Sequence, residues 1–117
     1  MAEIYDDRRQ ATRFAARGEV ELEIDGQKLR TGLIDLSIDG LKMRRPSTFG
    51  APAGSRFALR LLLPAADAFV AEVVLLRTDS DSVGVEFMDM APRDFGRLTG
   101  LIERFAHLQA QAAIEAG

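Results

Sequence analysis

Cysteine is missing from the 117-residue chain, and histidine occurs once, at His107. Without cysteine there is no disulfide framework, no thiol nucleophile and no cysteine metal site. A single histidine, far in sequence from any carboxylate constellation, gives no acid–base pair of the kind general catalysis uses; its expected role is on the surface or in helix packing. No glycine-rich phosphate loop or metal-ligand spacing is present. Asp79-Ser80-Asp81-Ser82 alternates acids with serines, which is ordinary turn chemistry. An enzyme is therefore not expected, and neither is a metal. No apolar run approaches the roughly 20 residues of a membrane span, so membrane insertion is not expected. The start, Met1-Ala2-Glu3-Ile4-Tyr5-Asp6-Asp7, lacks both a basic region and an apolar stretch. No secretory signal is read there, and a cytoplasmic location is expected.

What is present is an ordinary globular composition, 47% hydrophobic and 28% charged, in a chain long enough for one domain with a modest core. The net charge of −3 hides an asymmetry. Between Leu41 and Arg60 stand Lys42, Arg44, Arg45, Arg56 and Arg60 with no acid, whereas Leu61 to Met90 hold Asp67, Glu72, Asp79, Asp81, Glu86 and Asp89 against Arg77 alone. The basic stretch either favours an anion or forms the solvated outer faces of strands. The acidic balance and the lack of aromatics on basic strands argue against a nucleic-acid binder.

Periodicity supplies the elements. Val20, Leu22 and Ile24 alternate with Glu19, Glu21 and Glu23, the pattern of a half-buried strand. Asp25-Gly26 suits a two-residue hairpin turn, and a return strand follows from Gln27 to about Ile34, its alternation blurred at Leu33-Ile34. Leu41 and Met43 begin a third strand with Lys42 and Arg44 on its other face. Pro46 to Gly54 reads as loop. Phe57 to Leu63, Val70 to Leu76 and Val83 to Phe87 complete six strands joined mainly by tight turns, which suggests a small antiparallel barrel or sandwich. After Met90, the apolar residues Phe95, Leu98, Leu101, Ile102, Phe105 and Leu108 recur at helical steps. Pro92 suits that helix's first turn, and Gly96 and Gly100 are expected to let a neighbour approach closely, the barrel ahead of a dimer seam.

Two short patterns carry the function. Asp35-Leu36-Ser37-Ile38-Asp39-Gly40 lies between two strands and offers a carboxylate, a hydroxyl and a glycine at a corner. Asp35 only accepts hydrogen bonds, Ser37 donates and accepts, and Gly40 allows positive φ or close backbone approach. Such a corner suits a donor-rich edge such as that of guanine, although the same residues also make plain turns. Upstream, Asp7-Arg8-Arg9-Gln10-Ala11-Thr12-Arg13 places three residues between Arg9 and Arg13. Arginine forks match phosphate oxygens and guanine O6 and N7.

In this order, Arg9-x-x-x-Arg13 followed by Asp35-x-Ser37-x-x-Gly40 resembles the two-part signature of PilZ domains, receptors for the bacterial second messenger cyclic di-GMP. The resemblance spans about Asp7 to Phe105 and includes the Val83-Gly84-Val85-Glu86-Phe87 strand and the terminal helix. It implies a six-stranded antiparallel β-barrel with a C-terminal α-helix. It divides the chain into a ligand-binding arm (1–14), a barrel (15–90) and a helix (91–117), one domain over about 7–108. It assigns Arg9 and Arg13, with Arg8 as an extra partner, to the ligand's phosphates and bases, Asp35 and Ser37 to guanine, and Gly40 to backbone shape. Lys42 and Arg44, which follow the corner directly, are added from position alone.

An arginine at Arg8, just before the arm motif, resembles the residue that accompanies the self-paired dimeric ligand, implying two cyclic di-GMP molecules per chain. The arm is expected to be mobile when free and ordered when bound. Signalling would then pass to an unidentified effector protein in motility, exopolysaccharide or virulence control, with the chain a monomer or a homodimer. The alternative is a PilZ-like adaptor that works through protein contacts without nucleotide.

Overall fold

A computed structural model of the protein describes residues 11–64 and 66–116, with side chains described as far as Ile114. Seven strands and one helix follow in order: β1 (Phe14–Ala15), β2 (Glu19–Ile24), β3 (Gln27–Leu36), β4 (Gly40–Arg44), β5 (Arg56–Leu62), β6 (Phe69–Thr78), β7 (Ser82–Asp89) and α1 (Pro92–Ala116). Asp25 and Gly26, with φ of 54° and 77°, turn β2 directly into β3. This is the primed two-residue turn whose twist matches the flanking strands.

All pairings are antiparallel, in the order β1-β3-β2-β5-β6-β7-β4, and an additional β3–β4 pairing closes the sheet. Strands β2 to β7 thus form the expected six-stranded barrel, and closure leaves them no free edge to template aggregation. The seventh strand was not foreseen. β2 leaves β3 at the Glu19–Gly32 pair, and β1 continues along the same edge through Ala15–Asp35 and Phe14–Leu36. Two residues are too few to carry a period, so only tertiary pairing reveals β1 as a strand.

The alternation seen in the sequence fills the barrel. Val20, Leu41, Met43, Leu61, Val73, Leu75 and Val83 are all essentially inaccessible, each contributing about 1.5 to 3 kcal/mol of burial for a side chain of this kind. Phe49, from the loop after β4, joins them and meets Phe57 edge-on at 6.2 Å. Arg45 fixes that loop by donating to the Phe49 carbonyl from both Nε (3.3 Å) and Nη2 (3.1 Å).

Helix α1 begins at Pro92 as expected, with Asp94 Oδ1 accepting from the Val70 amide at 3.3 Å and Arg97 donating to the Ala68 carbonyl at 2.9 Å. Leu98 and Leu101 are buried against the barrel, and Phe105 meets Phe14 of β1 at 6.0 Å. The rest of the apolar face departs from expectation: Phe95 is 50% and Leu108 53% exposed. The helix meets the strands toward its N-terminal end, from Asp94 and Arg97 through Leu98 and Leu101 to Phe105, and runs on beyond them. Gly96 and Gly100 correct the expectation of barrel packing, because nothing lies within 4 Å of a Cβ built on either. His107 is exposed. No helix among the described residues is long and apolar enough to cross a membrane.

The basic stretch does not form one patch. Its residues divide between β4 and β5, which are not neighbours in the barrel, and Arg45 is committed to its own loop.

Candidate functional site

The Asp35–Gly40 corner is tighter than a loop. Asp35 and Leu36 still belong to β3, Gly40 already belongs to β4, and only Ser37, Ile38 and Asp39 connect them. The Ser37 amide donates to the Gly40 carbonyl at 2.9 Å, and the Asp39 carbonyl accepts from the Phe87 amide at 2.8 Å, tying the turn to β7. Ser37 itself is 1% exposed. Its Oγ accepts from the Asp39 and Gly40 amides at 3.1 and 3.2 Å and donates to the Gly40 carbonyl at 3.3 Å. With one donor and two lone pairs, the hydroxyl is fully engaged in the turn, where it holds the corner's shape.

Gly40 is needed for close approach. A Cβ there would run into the Val85 carbonyl oxygen and stand 3.0 Å from Glu86 Cα, because β4 and β7 pair through Gly40 and Glu86. It is close approach and no left-handed φ that demands glycine at this position.

Asp35 is delivered outward by an irregularity. The β3–β4 register shifts between Leu33 and Asp35, at the point where the sequence alternation blurs. A bulge of this kind re-aims a side chain at the rim of a barrel. Pairing of β1 with β3 then brings Arg13, 22 positions away, to Asp35: its Nη1 donates to Asp35 Oδ1 at 2.7 Å. The side chains are 46% and 18% exposed, so the carboxylate sits against the wall while the guanidinium reaches into solvent. Exposed pairs of this sort contribute at most about 1 kcal/mol, so an incoming anion or base edge can take over either partner at low cost.

Of the other sequence-predicted residues, Lys42 stands directly opposite Asp35 on β4 and is half-buried. Arg44 lies two positions further along, about 7 Å from Lys42, with its side chain over Gly32. Arg13, Asp35, Ser37, Gly40 and Lys42 are therefore gathered at one end of the β3–β4 pair, and Arg44 is set back from it. Arg8 and Arg9 lie outside the described residues, as does most of the expected arm.

Beside the corner runs a groove of about 530 Å³, lined by Ala11, Arg13, Ser37, Asp39, Gly40, Leu76, Val85 and Glu86, within the size range of small-molecule sites. Sequence reasoning missed Asp39, Leu76 and Glu86 here. Leu76 faces outward, 51% exposed, because it falls on the outer phase of β6, whose Phe69, Ala71, Val73 and Leu75 point inward. The only trace in the sequence is the unbroken Val73-Val74-Leu75-Leu76 run. Chemically, the corner offers a carboxylate that accepts from an N–H edge, a guanidinium that donates to oxygen or ring nitrogen, and an apolar wall at Leu76.

Comparison with known proteins agrees with this architecture. The sequence model of the PilZ domain matches residues 7–104. Among solved structures, the PilZ domain of YcgR from Escherichia coli, determined with c-di-GMP, is 20% identical with a TM-score of 0.72, covering 91% of this chain and 97% of that one. YcgR from Escherichia coli in complex with c-di-GMP is 19% identical with a TM-score of 0.78, covering 94% of this chain. The inhibitor of motility from Bacillus subtilis is 20% identical with a TM-score of 0.73, covering 89% of this chain. The chain spans about half the length of these last two, 51% and 52% respectively. No curated protein sequence matches the chain.

Proposed function

Because the chain belongs to the PilZ domain family, we propose that it binds cyclic di-GMP at the Asp35–Gly40 corner and passes the signal to a protein partner. The observation that carries this reading is the Arg13–Asp35 pair, 2.7 Å long, held beside a glycine-closed turn and an open groove. In the free protein the two side chains satisfy each other. On binding, Asp35 accepts from a guanine edge, and Arg13, with Arg9 and Arg8, turns to the phosphates and the guanine O6/N7 face. Ser37 and Gly40 keep the corner in shape, and Lys42 adds positive charge beside Asp35. Arg44 is a more remote contributor. Residues 1–14 act as the binding arm, 15–90 as the platform and 91–117 as the helix that a partner can sense.

Isothermal titration with cyclic di-GMP tests the reading directly. Arg9→Ala, Arg13→Ala and Asp35→Ala are each expected to weaken binding about ten- to a hundredfold, the equivalent of losing one charge-assisted contact of roughly 1.5 to 3 kcal/mol. His107→Ala is expected to leave it unchanged. The titration should end near two ligands per chain, with Arg8→Leu moving the endpoint toward one. Amide exchange in the arm should slow when ligand is added. A folded protein that gives no binding heat would leave the nucleotide-independent adaptor as the better account.

A further inference from the structure

A second cleft, of about 350 Å³, opens on the far side of the same turn, between the tip of the β3–β4 connection, the end of β7 and the first turn of α1. Its floor is formed by Phe87 and the buried Leu98, and Ile38, Met88 and Phe95 stand over it, 37%, 43% and 50% exposed. Three large apolar side chains from three separate segments, converging at an opening, form the kind of patch that marks an interaction site. The rim is acidic throughout: Asp39, Glu86 and Asp89 line it, and no lysine or arginine does. Asp39 and Glu86 also line the groove beside Arg13, so the two depressions share a wall.

We propose that this cleft is the docking surface for the effector, and that its occupant is a protein segment presenting an apolar side chain flanked by lysines or arginines. The size suits one anchoring side chain better than a cofactor, which places it at the low end of ligand pockets. A fully desolvated apolar anchor within a polar rim is the usual energetic centre of an interface. Charge decides the rest: a basic segment is drawn to the three rim carboxylates, an acidic one is repelled. A second copy of this chain, net charge −3, is disfavoured on the same ground. The shared wall adds a coupling. An anionic ligand in the adjacent groove increases the negative potential at Asp39 and Glu86, so a cationic partner binds the loaded protein more tightly than the free one. Only this coupling rests on the cyclic di-GMP reading; the cleft's preference for a basic segment does not.

The test uses the full chain and two labelled amphipathic helical peptides sharing a leucine–phenylalanine face, one with lysine flanks and one with glutamate flanks. Fluorescence anisotropy is expected to show binding of the lysine peptide, weakening with salt, and none of the glutamate peptide. Phe95→Ser and Ile38→Ser should each weaken it about tenfold or more. Both residues are well exposed, and thermal unfolding checks that the fold persists. Asp89→Asn, which retains the Oδ1 that accepts from the Met90 amide at 2.9 Å but removes the charge, should weaken binding by a smaller factor. Equal binding of the two peptides, or indifference to Phe95→Ser, overturns the proposal. So does concentration-dependent dimerisation that Phe95→Ser abolishes, which would make the occupant a second copy. Cyclic di-GMP should tighten the lysine peptide severalfold. If calorimetry shows the nucleotide bound and the peptide affinity does not move, the coupling is wrong while the nucleotide reading stands.

Discussion

Two arginine–carboxylate pairs on the barrel's outer surface have the same length, 2.7 Å, and very different surroundings: Arg13–Asp35 and Arg30–Glu21. Arg30 and Glu21 face each other in the regular β2–β3 ladder, and Arg30 also reaches Glu19 at 3.4 Å. That arginine is shared between two acids of a regular ladder, beside Lys28 and Arg60 in a depression of about 540 Å³. Arg13 precedes a two-residue strand, and its partner sits at a register shift next to a turn that requires glycine. An ion-pair distance therefore says nothing about use. What distinguishes the two is whether the backbone around the pair departs from regular pairing to hold it.

The largest effect that separates the two regions is expected at their glycines. Gly40→Ala forces a Cβ into the Val85 carbonyl, and backbone cannot yield as a side chain can, so a loss of about 3 kcal/mol is expected. Gly32, in β3 where its ladder with β2 ends, has only the Arg44 side chain nearby at 3.5 Å, and Gly32→Ala should stay within about 0.5 kcal/mol of the parent. Urea unfolding of the two variants measures this. Equal losses would mean that the corner is no more constrained than the ladder.

Next comes the ligand. Asp35→Ala is expected to weaken cyclic di-GMP by the ten- to hundredfold already given, whereas Glu21→Ala and Arg30→Ala should leave titration curves superimposable on the parent. A ladder variant that lowered affinity as much as Asp35→Ala would relocate the site to the other wall of the barrel.

Ser37→Ala should follow. Removing Oγ leaves the partly buried Asp39 amide and the buried Gly40 amide without their acceptor, a loss of about 2 kcal/mol in stability. Affinity measured on the folded protein should fall less than for Asp35→Ala, because the hydroxyl is engaged in the turn. The reverse ranking would make Ser37 a direct contact.

Ser37 also illustrates how far the sequence could be read. Its presence at the corner was legible from the Asp-x-Ser-x-x-Gly spacing, as were the hairpin at Asp25-Gly26 and the inward residues of β2, β4 and β5, because each follows from a local period or a turn with one backbone solution. The Ser37 hydroxyl bonds the amides two and three residues on, a turn role that the spacing alone does not separate from a ligand contact. Other positions lack a local signature: Phe14, read as part of an arm, packs on Phe105, and Leu76 is one of four consecutive apolar residues whose facing is set by the pleat of the whole strand. Phe49 enters the core from a loop whose prolines and glycines announce only irregularity. Helical periodicity marked Phe95 and Leu108 as apolar but could not reveal that both stay half exposed.

The smallest expected effect discriminates most finely between the two ion pairs. A double-mutant cycle on stability, replacing each partner by alanine singly and together, should give a coupling of no more than about 1 kcal/mol for Arg13–Asp35 and for Arg30–Glu21 alike, since both are solvent-screened. Repeating both cycles at saturating cyclic di-GMP should leave the Arg30–Glu21 coupling unchanged within error. The Arg13–Asp35 coupling should change, because each partner then meets the nucleotide instead of the other and the single losses acquire a ligand-dependent part. A ladder coupling that moved with ligand while the corner coupling stayed fixed would invert the comparison and place the nucleotide on the β2–β3 face.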